Sequence, residues 1–260
     1  MPNSSSIYGS YYSRLLKRAS MAFAKGIAFP YVRRDAVRSG AYGLTFPLAT
    51  YSPWDADGEF AAIYQHVRRY TLVDMLRLYE LWALLAELVG VPGSILEVGV
   101  WRGGSGAMMA ARAADLGITD PVYLADTWEG VVKTSDVDTH YSGGEHDDTS
   151  RGTVETLISQ LGLRNVELLQ GIFPEQTAEP ISDRTLRLCH IDVDVYQSAA
   201  DVFAWAWPRL SVGGVVVFDD YGFPTTPGVT KFVDEQRGLP DRLVIHNLNG
   251  HGLVIKYRDS

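Results

Sequence analysis

Three aspartates stand just beyond two short apolar runs of this chain. Asp192 follows Leu186–Ile191, and Asp219 and Asp220 follow Gly214–Phe218. If the two runs are neighbouring strands of a parallel sheet, both end on the edge where open α/β sheets bind ligands. Carboxylates converging there repel one another unless a cation sits among them. An all-oxygen set suits Mg2+, which keeps some water and takes substrate oxygens in its remaining positions. Taken singly, each acid reads as a solvated loop carboxylate; their joint placement at consecutive strand ends points to a metal. Asp194, two residues beyond Asp192, is open between ligation, capping a helix and orienting Asp192.

Other residues are spaced to recognise an organic ligand. The stretch ILEVGVWRGGSG, Ile95 to Gly106, ends a strand at Glu97-Val98 and opens a helix through a glycine-bearing loop. Gly99 and Gly103 let a ligand approach the backbone. The first helical turn, with Ser105, offers free N–H groups to a carboxylate. The E-x-G-x-x-x-G spacing lacks the GxGxxG register of a pyrophosphate cradle and suits an amino-acid-bearing nucleoside; a merely structural strand–turn–helix is the plainer alternative. Asp126, in YLADTWEG and 27 residues after Gly99, can accept from both ribose hydroxyls or else cap a helix. Gln170 and Gly171 close the next strand on the adenine side. Residues 131–150 are polar and aperiodic, and a long loop inside a compact domain is usually functional or disordered. A substrate lid is expected there, ordering when ligand binds. His140 and Tyr141 within it could accept or relay a proton, although an exposed loop histidine is equally ordinary. His146 to Ser150 lead into the next helix beside the adenosine.

The elements that must position these groups follow from periodicity. Short apolar runs at 94–98, 122–125, 166–170, 186–191, 214–218, 243–247 and 252–256 alternate with helical segments at 104–117, 151–162, 197–209 and 228–237. That alternation builds a mainly parallel seven-stranded sheet with helices on both faces, a Rossmann-like α/β fold. The last two runs flank Asn249-Gly250 and should pair as an antiparallel hairpin. Residues 66–90 carry helically spaced apolar positions, stopped by Gly90, Pro92 and Gly93. Residues 1–65 read as an N-terminal cap on a catalytic domain spanning 66–260, with an amphipathic helix over 8–26. That helix suits packing or subunit contact, and the aromatics Tyr8, Tyr11, Tyr12, Phe23, Phe29 and Tyr31 hint at a homo-oligomer.

Bulk properties narrow the partners. A formal net charge of −8 argues against nucleic acid, which usually leaves a basic footprint. Cys189 stands alone, so an intrachain disulfide and a thiolate zinc cluster are excluded. Nothing points outside a reducing cytoplasm. Charges at Arg14, Lys17, Arg18 and Lys25 interrupt the N-terminal apolar residues, so neither a signal sequence nor a membrane span is expected.

Together, LEVGVWRGGSG, LADTWEG, HIDVDVYQS and LSVGGVVVFDDYGFP resemble the TylF/macrocin O-methyltransferase family over residues 66–256. The resemblance implies a class I methyltransferase fold, and S-adenosylmethionine (SAM) and Mg2+ as cofactors. It implies a hydroxylated small-molecule substrate, a sugar on a natural product or an activated sugar. It also implies metal ligation by Asp192, Asp219 and Asp220, and SAM contacts by Glu97, Gly99, Gly103 and Asp126. Catechol-type methyltransferases are more distantly similar, with an acid–amide pair where this chain has two aspartates. The expected mechanism holds two vicinal oxygens on the metal for in-line methyl transfer, with Asp192, His140 or a metal-bound water taking the proton. Rival readings are a phenol methyltransferase, an NAD-dependent oxidoreductase and a non-catalytic binding protein.

Overall fold

The structure, a computed structural model, describes residues 51–259. The helix expected over 8–26, its aromatics and the first fifty residues of the cap lie outside the described residues. The unit described begins at Tyr51.

Seven strands form one sheet: β1 (Ser94–Val98), β2 (Val122–Asp126), β3 (Val166–Gln170), β4 (Leu186–Ile191), β5 (Leu210–Phe218), β6 (Arg242–His246) and β7 (Gly252–Lys256). Their order is β3-β2-β1-β4-β5-β7-β6. The first five pair in parallel; β7 runs antiparallel to both β5 and β6. The hairpin is therefore present, folded back so that its second strand lies inside the sheet. Its connection, Asn247–His251, is longer than a two-residue turn and uses Gly250 at φ +106°.

The helices are α1 (Gly58–Val67), α2 (Met75–Glu87), α3 (Gly104–Asp115), α4 (Arg151–Gln160), α5 (Tyr196–Ala206) and α6 (Pro227–Glu235). Each face of the sheet has its own apolar layer. Leu78, Leu81 and Trp82 of α2 pack with Met108 and Met109 of α3 on one side. Val202 and Phe203 of α5 pack with Phe218 and Phe232 on the other. Strands β1 and β4 are buried throughout, which is why they read as continuous apolar runs rather than alternating ones.

Two expectations need correction. The single helix over 66–90 is two helices, because Asp74 caps the second: its Oδ1 accepts from the N–H groups of Leu76 at 2.8 Å and Arg77 at 3.2 Å. The break places Thr71–Val73 on the wall of a cavity at the C-terminal edge of the sheet. Strand β5 starts at Leu210 rather than Gly214, the register shifting between its pairings with Leu186 and Leu188 where Gly213 takes φ +88°.

Candidate active site at the C-terminal edge of the sheet

The parallel register decides which side chains meet. Val98 lies beside Ile191, and Ile191 beside Phe218, so Gly99, Asp192 and Asp219 are the first residues past three adjacent strands. The ladder runs one residue further: Asp192 N–H donates to the Val98 carbonyl at 2.9 Å and Asp219 N–H to the Ile191 carbonyl at 3.0 Å. Beside this edge opens a cavity of about 300 Å³, walled by the loops after β1, β2, β3, β4 and β5 and by residues 71–73.

Asp192, Asp219 and Asp220 converge as expected. One oxygen of each lies within 4.8 Å of the other two. Mg–O bonds of about 2.1 Å put opposite ligands of one ion about 4.2 Å apart and adjacent ones about 3 Å apart, so the three carboxylates would draw closer together to share an ion. The electrostatics also suit a divalent ion. Burial, then repulsion from Asp219 and from each other's neighbourhood of acids, pushes the carboxyls of Asp192 and Asp220 well above the usual carboxylate range. Asp219 moves the opposite way: burial opposes its charge, but the polar contacts of His190 and His251 and the Arg77 guanidinium outweigh it and lower its pKa.

That compensation comes from a buried chain of polar groups behind the cavity. Glu97 is wholly buried and its Oε1 sits 2.9 Å from His190 Nδ1. His190 Nε2 lies 3.5 Å from Asp219 Oδ1, an ion-pair contact too long for a good hydrogen bond. His251 Nε2 approaches the same oxygen at 2.9 Å, and Arg77 of α2 pairs with Asp219 Oδ2 and donates to its carbonyl at 3.1 Å. Burial would lower the His190 pKa; its bonds to Asp219 and Glu97 prevail and raise it to about 10. Glu97, expected to touch the cofactor, instead faces this interior pair and is not on the cavity wall.

The expected cofactor residues divide. Gly99, Asp126 and Gly171 line the cavity. A Cβ on Gly99 would stand 1.7 Å from the Asp192 carbonyl oxygen, at φ +89°, so this glycine is required by the neighbouring acidic loop as well as by any ligand. Asp126 holds the loop after β1: its Oδ2 accepts from Val100 N–H at 2.6 Å and Trp101 N–H at 2.8 Å, and its Oδ1 from Trp128 N–H at 2.6 Å. Three of a carboxylate's roughly four acceptor positions are thereby filled, leaving room for one ribose hydroxyl rather than two. Gly103 caps α3 and is packed against Val154, Ser105 is buried within that helix, Ser150 caps α4 by accepting from Thr153 N–H, and Gln170 is exposed; none of the four is on the wall.

Residues 131–150 have no helix or strand but are closely tied down. Val131 exchanges backbone hydrogen bonds with Gly144 and Glu145, and buried Asp138 accepts from Tyr196 N–H at 2.9 Å at the start of α5. His140, expected as a candidate proton acceptor, is exposed and off the cavity wall, whereas its neighbours Tyr141 and His146 line the cavity. Tyr141 O–H donates to Asp194 Oδ1 at 2.5 Å, and His146 Nε2 lies 3.9 Å from Asp194 Oδ2. Asp194 takes φ +64°, its N–H donates to Asp220 Oδ2 at 2.9 Å, and burial raises its pKa. It lines the cavity without belonging to the three-acid set, a role the sequence left open.

Arg77, His190, His251 and Glu80 went unread in the sequence. The Glu97–His190 pair had a signal: both are charged residues one place short of strand ends that align. Arg77 had none, since a lone arginine among apolar helix positions reads as a solvated one.

Residues 53–246 match the model of the macrocin-O-methyltransferase (TylF) family. Over 189 residues the chain is 31% identical to the mycinamicin III 3''-O-methyltransferase of Micromonospora griseorubida, covering 67% of this chain and 74% of that relative. Over 202 residues it is 34% identical to the 8-demethyl-8-(2,3-dimethoxy-alpha-L-rhamnosyl)-tetracenomycin-C 4'-O-methyltransferase of Streptomyces olivaceus, covering 72% and 76%. Among solved structures it is similar to the O-methyltransferase NovP, with TM-score 0.60 and 26% identity over 72% of this chain and 81% of that one. The calicheamicin methyltransferase CalS11 shares the fold, with TM-score 0.61 at 19% identity over 84% and 99%.

Proposed function

The chain belongs to the macrocin O-methyltransferase family, and from that premise we propose that it methylates a sugar hydroxyl of a glycosylated natural product, using SAM and a divalent ion of the magnesium class. The observation that carries this reading is the meeting of Asp192, Asp219 and Asp220 on the wall of the cavity that Gly99 and Asp126 also line. SAM supplies the electrophilic methyl group. Bound among the three acids, a divalent ion supplies Lewis acidity that makes a sugar hydroxyl easier to deprotonate. Asp194 is positioned to take the proton: Tyr141 steadies its carboxylate, and burial makes it a stronger base than an ordinary aspartate. Asp126 fixes the loop of Val100 and Trp101 against which the nucleoside lies.

The wall favours an uncharged acceptor. Among the described residues it carries five carboxylates, at 126, 192, 194, 219 and 220, and one arginine or lysine, Arg77. That guanidinium is engaged by Asp74 and Asp219. Among the described residues, the wall therefore offers the diphosphate of a nucleotide-activated sugar no unpaired arginine or lysine. Leu72, on the wall and largely exposed, and Phe223 offer apolar surface to an aglycone. The two relatives named above carry 3''- and 4'-O-methylation in their names, the second of a rhamnosyl-bearing compound, which agrees with this class.

Methyl transfer from labelled SAM to glycosides, nucleotide sugars and phenols tests the reading. Activity confined to glycosides, abolished by EDTA and restored by Mg2+, is expected. Undiminished transfer in chelator would remove the metal, and preference for nucleotide sugars would remove the acceptor class.

A further inference from the structure

Asp219 is gripped from two sides, unlike the other two acids. Arg77 of α2 holds its Oδ2 and backbone carbonyl. His251, fully buried at the end of the β6–β7 connection, holds Oδ1 through Nε2 at 2.9 Å. The antiparallel register explains the encounter: Phe218 faces Gly252, so the residues next to each, Asp219 and His251, emerge side by side. His251 is itself fixed from behind. Its Nδ1 lies 2.6 Å from Glu80 Oε2, and Glu80, three residues beyond Arg77 on α2, also receives the side-chain amides of Asn247 and Asn249. Carboxylate–imidazole–carboxylate chains of this kind orient the terminal carboxylate, and such outer partners of a metal ligand typically govern affinity by 10- to 100-fold.

We propose that His251, held by Glu80, is a positioning residue that fixes Asp219 in the orientation from which it joins Asp192 and Asp220 around a divalent ion. The inference rests on the divalent-ion reading above and adds to it a residue pair outside the acidic motifs, contributed by α2 and the hairpin. Asp192 and Asp220 have no such side-chain donor on their carboxylates among the described hydrogen bonds; Asp220 Oδ2 takes only the Asp194 N–H.

The test uses the full chain and Mn2+ as probe, with affinity read by electron paramagnetic resonance and no acceptor present. His251→Leu should weaken Mn2+ binding about 10-fold or more while the SAM dissociation constant stays within about twofold of wild type. His251→Gln, whose amide can still donate toward Oδ1, should recover most of the loss. Glu80→Gln, which keeps His251 but removes the carboxylate behind it, should weaken Mn2+ binding to a smaller extent, and carries the test if the leucine variant does not fold. Wild-type Mn2+ affinity in a folded His251→Leu protein, or in Glu80→Gln, overturns the proposal. Wild-type protein that takes up no Mn2+ overturns the metal reading itself, a separate and recognisable result.

Discussion

Asp192 and Asp220 prefer their protons in the ion-free protein, because burial and neighbouring acids disfavour the charge. In the unfolded chain the same carboxyls ionise near pH 4. Between that value and the raised native values, stability is lost as pH climbs, since the unfolded state gives up protons that the native state keeps. An added divalent ion relieves that penalty over the same window. The Mg2+-induced rise in Tm should therefore be larger at pH 8 than at pH 6, measured by thermal melts at matched ionic strength; an equal rise would contradict the coupling. His190 sets a different limit. With a native value of about 10, raised by Asp219 and Glu97 against burial, it contributes stability that is complete below its unfolded value near 6.5 and disappears as pH rises through 10. The fall in Tm between about pH 7 and pH 10 should accordingly be shallower in His190→Gln than in wild type, and equal slopes in thermal melts would contradict the linkage. The three acids were legible because strand ends in a parallel sheet share an edge. Their partners were not: Arg77 meets Asp219 across 142 residues of chain, a distance no local pattern spans.

The loops that join strands to helices carry the site, and their steric limits are severe. Gly99→Ala would drive a methyl group into the Asp192 carbonyl at 1.7 Å and force an L-residue to φ +89°. Positive φ and overpacking together cost at least about 2 kcal/mol, so a Tm loss of about 4–8 °C is expected, accompanied by weaker metal binding as Asp192 shifts. A melt unchanged from wild type would show that the two loops move apart freely. The loop over 131–150 depends on Asp138, whose carboxylate serves Tyr196 N–H and both Ser135 donors. Asp138→Ala removes three part-buried hydrogen bonds, each worth about 0.5–1.5 kcal/mol. Limited proteolysis should then cut within 131–150 several-fold faster than in wild type, with the sheet otherwise intact; an unchanged cutting rate would deny the anchor. Six strands could be read to within one residue, β1 and β4 because buried parallel strands are continuous apolar runs, whereas β5 begins four residues before the expected Gly214. The helix over 66–90 could not, because one capping aspartate overrode an unbroken apolar period.

At the scale of the whole molecule, parallel pairing places the ligand edge at the divergence between β1 and β4, where chain connections leave toward opposite sides of the sheet. The same order separates the two apolar layers, so the acidic cluster rests on a support packed from both faces. Among the described residues no helix is long and apolar enough to cross a membrane. The sheet order also has a consequence for biosynthesis. Strand β7 is made after every other strand, yet it lies between β5 and β6. Until β7 has been made, β5 therefore presents an unpaired apolar border, the kind of template that invites wrong partners. His251 arrives with β7, so one stretch of chain brings both the strand that seals this border and the imidazole that contacts Asp219. A divalent ion held through Asp219 would thus find its full set of neighbours only once the sheet has closed around β7.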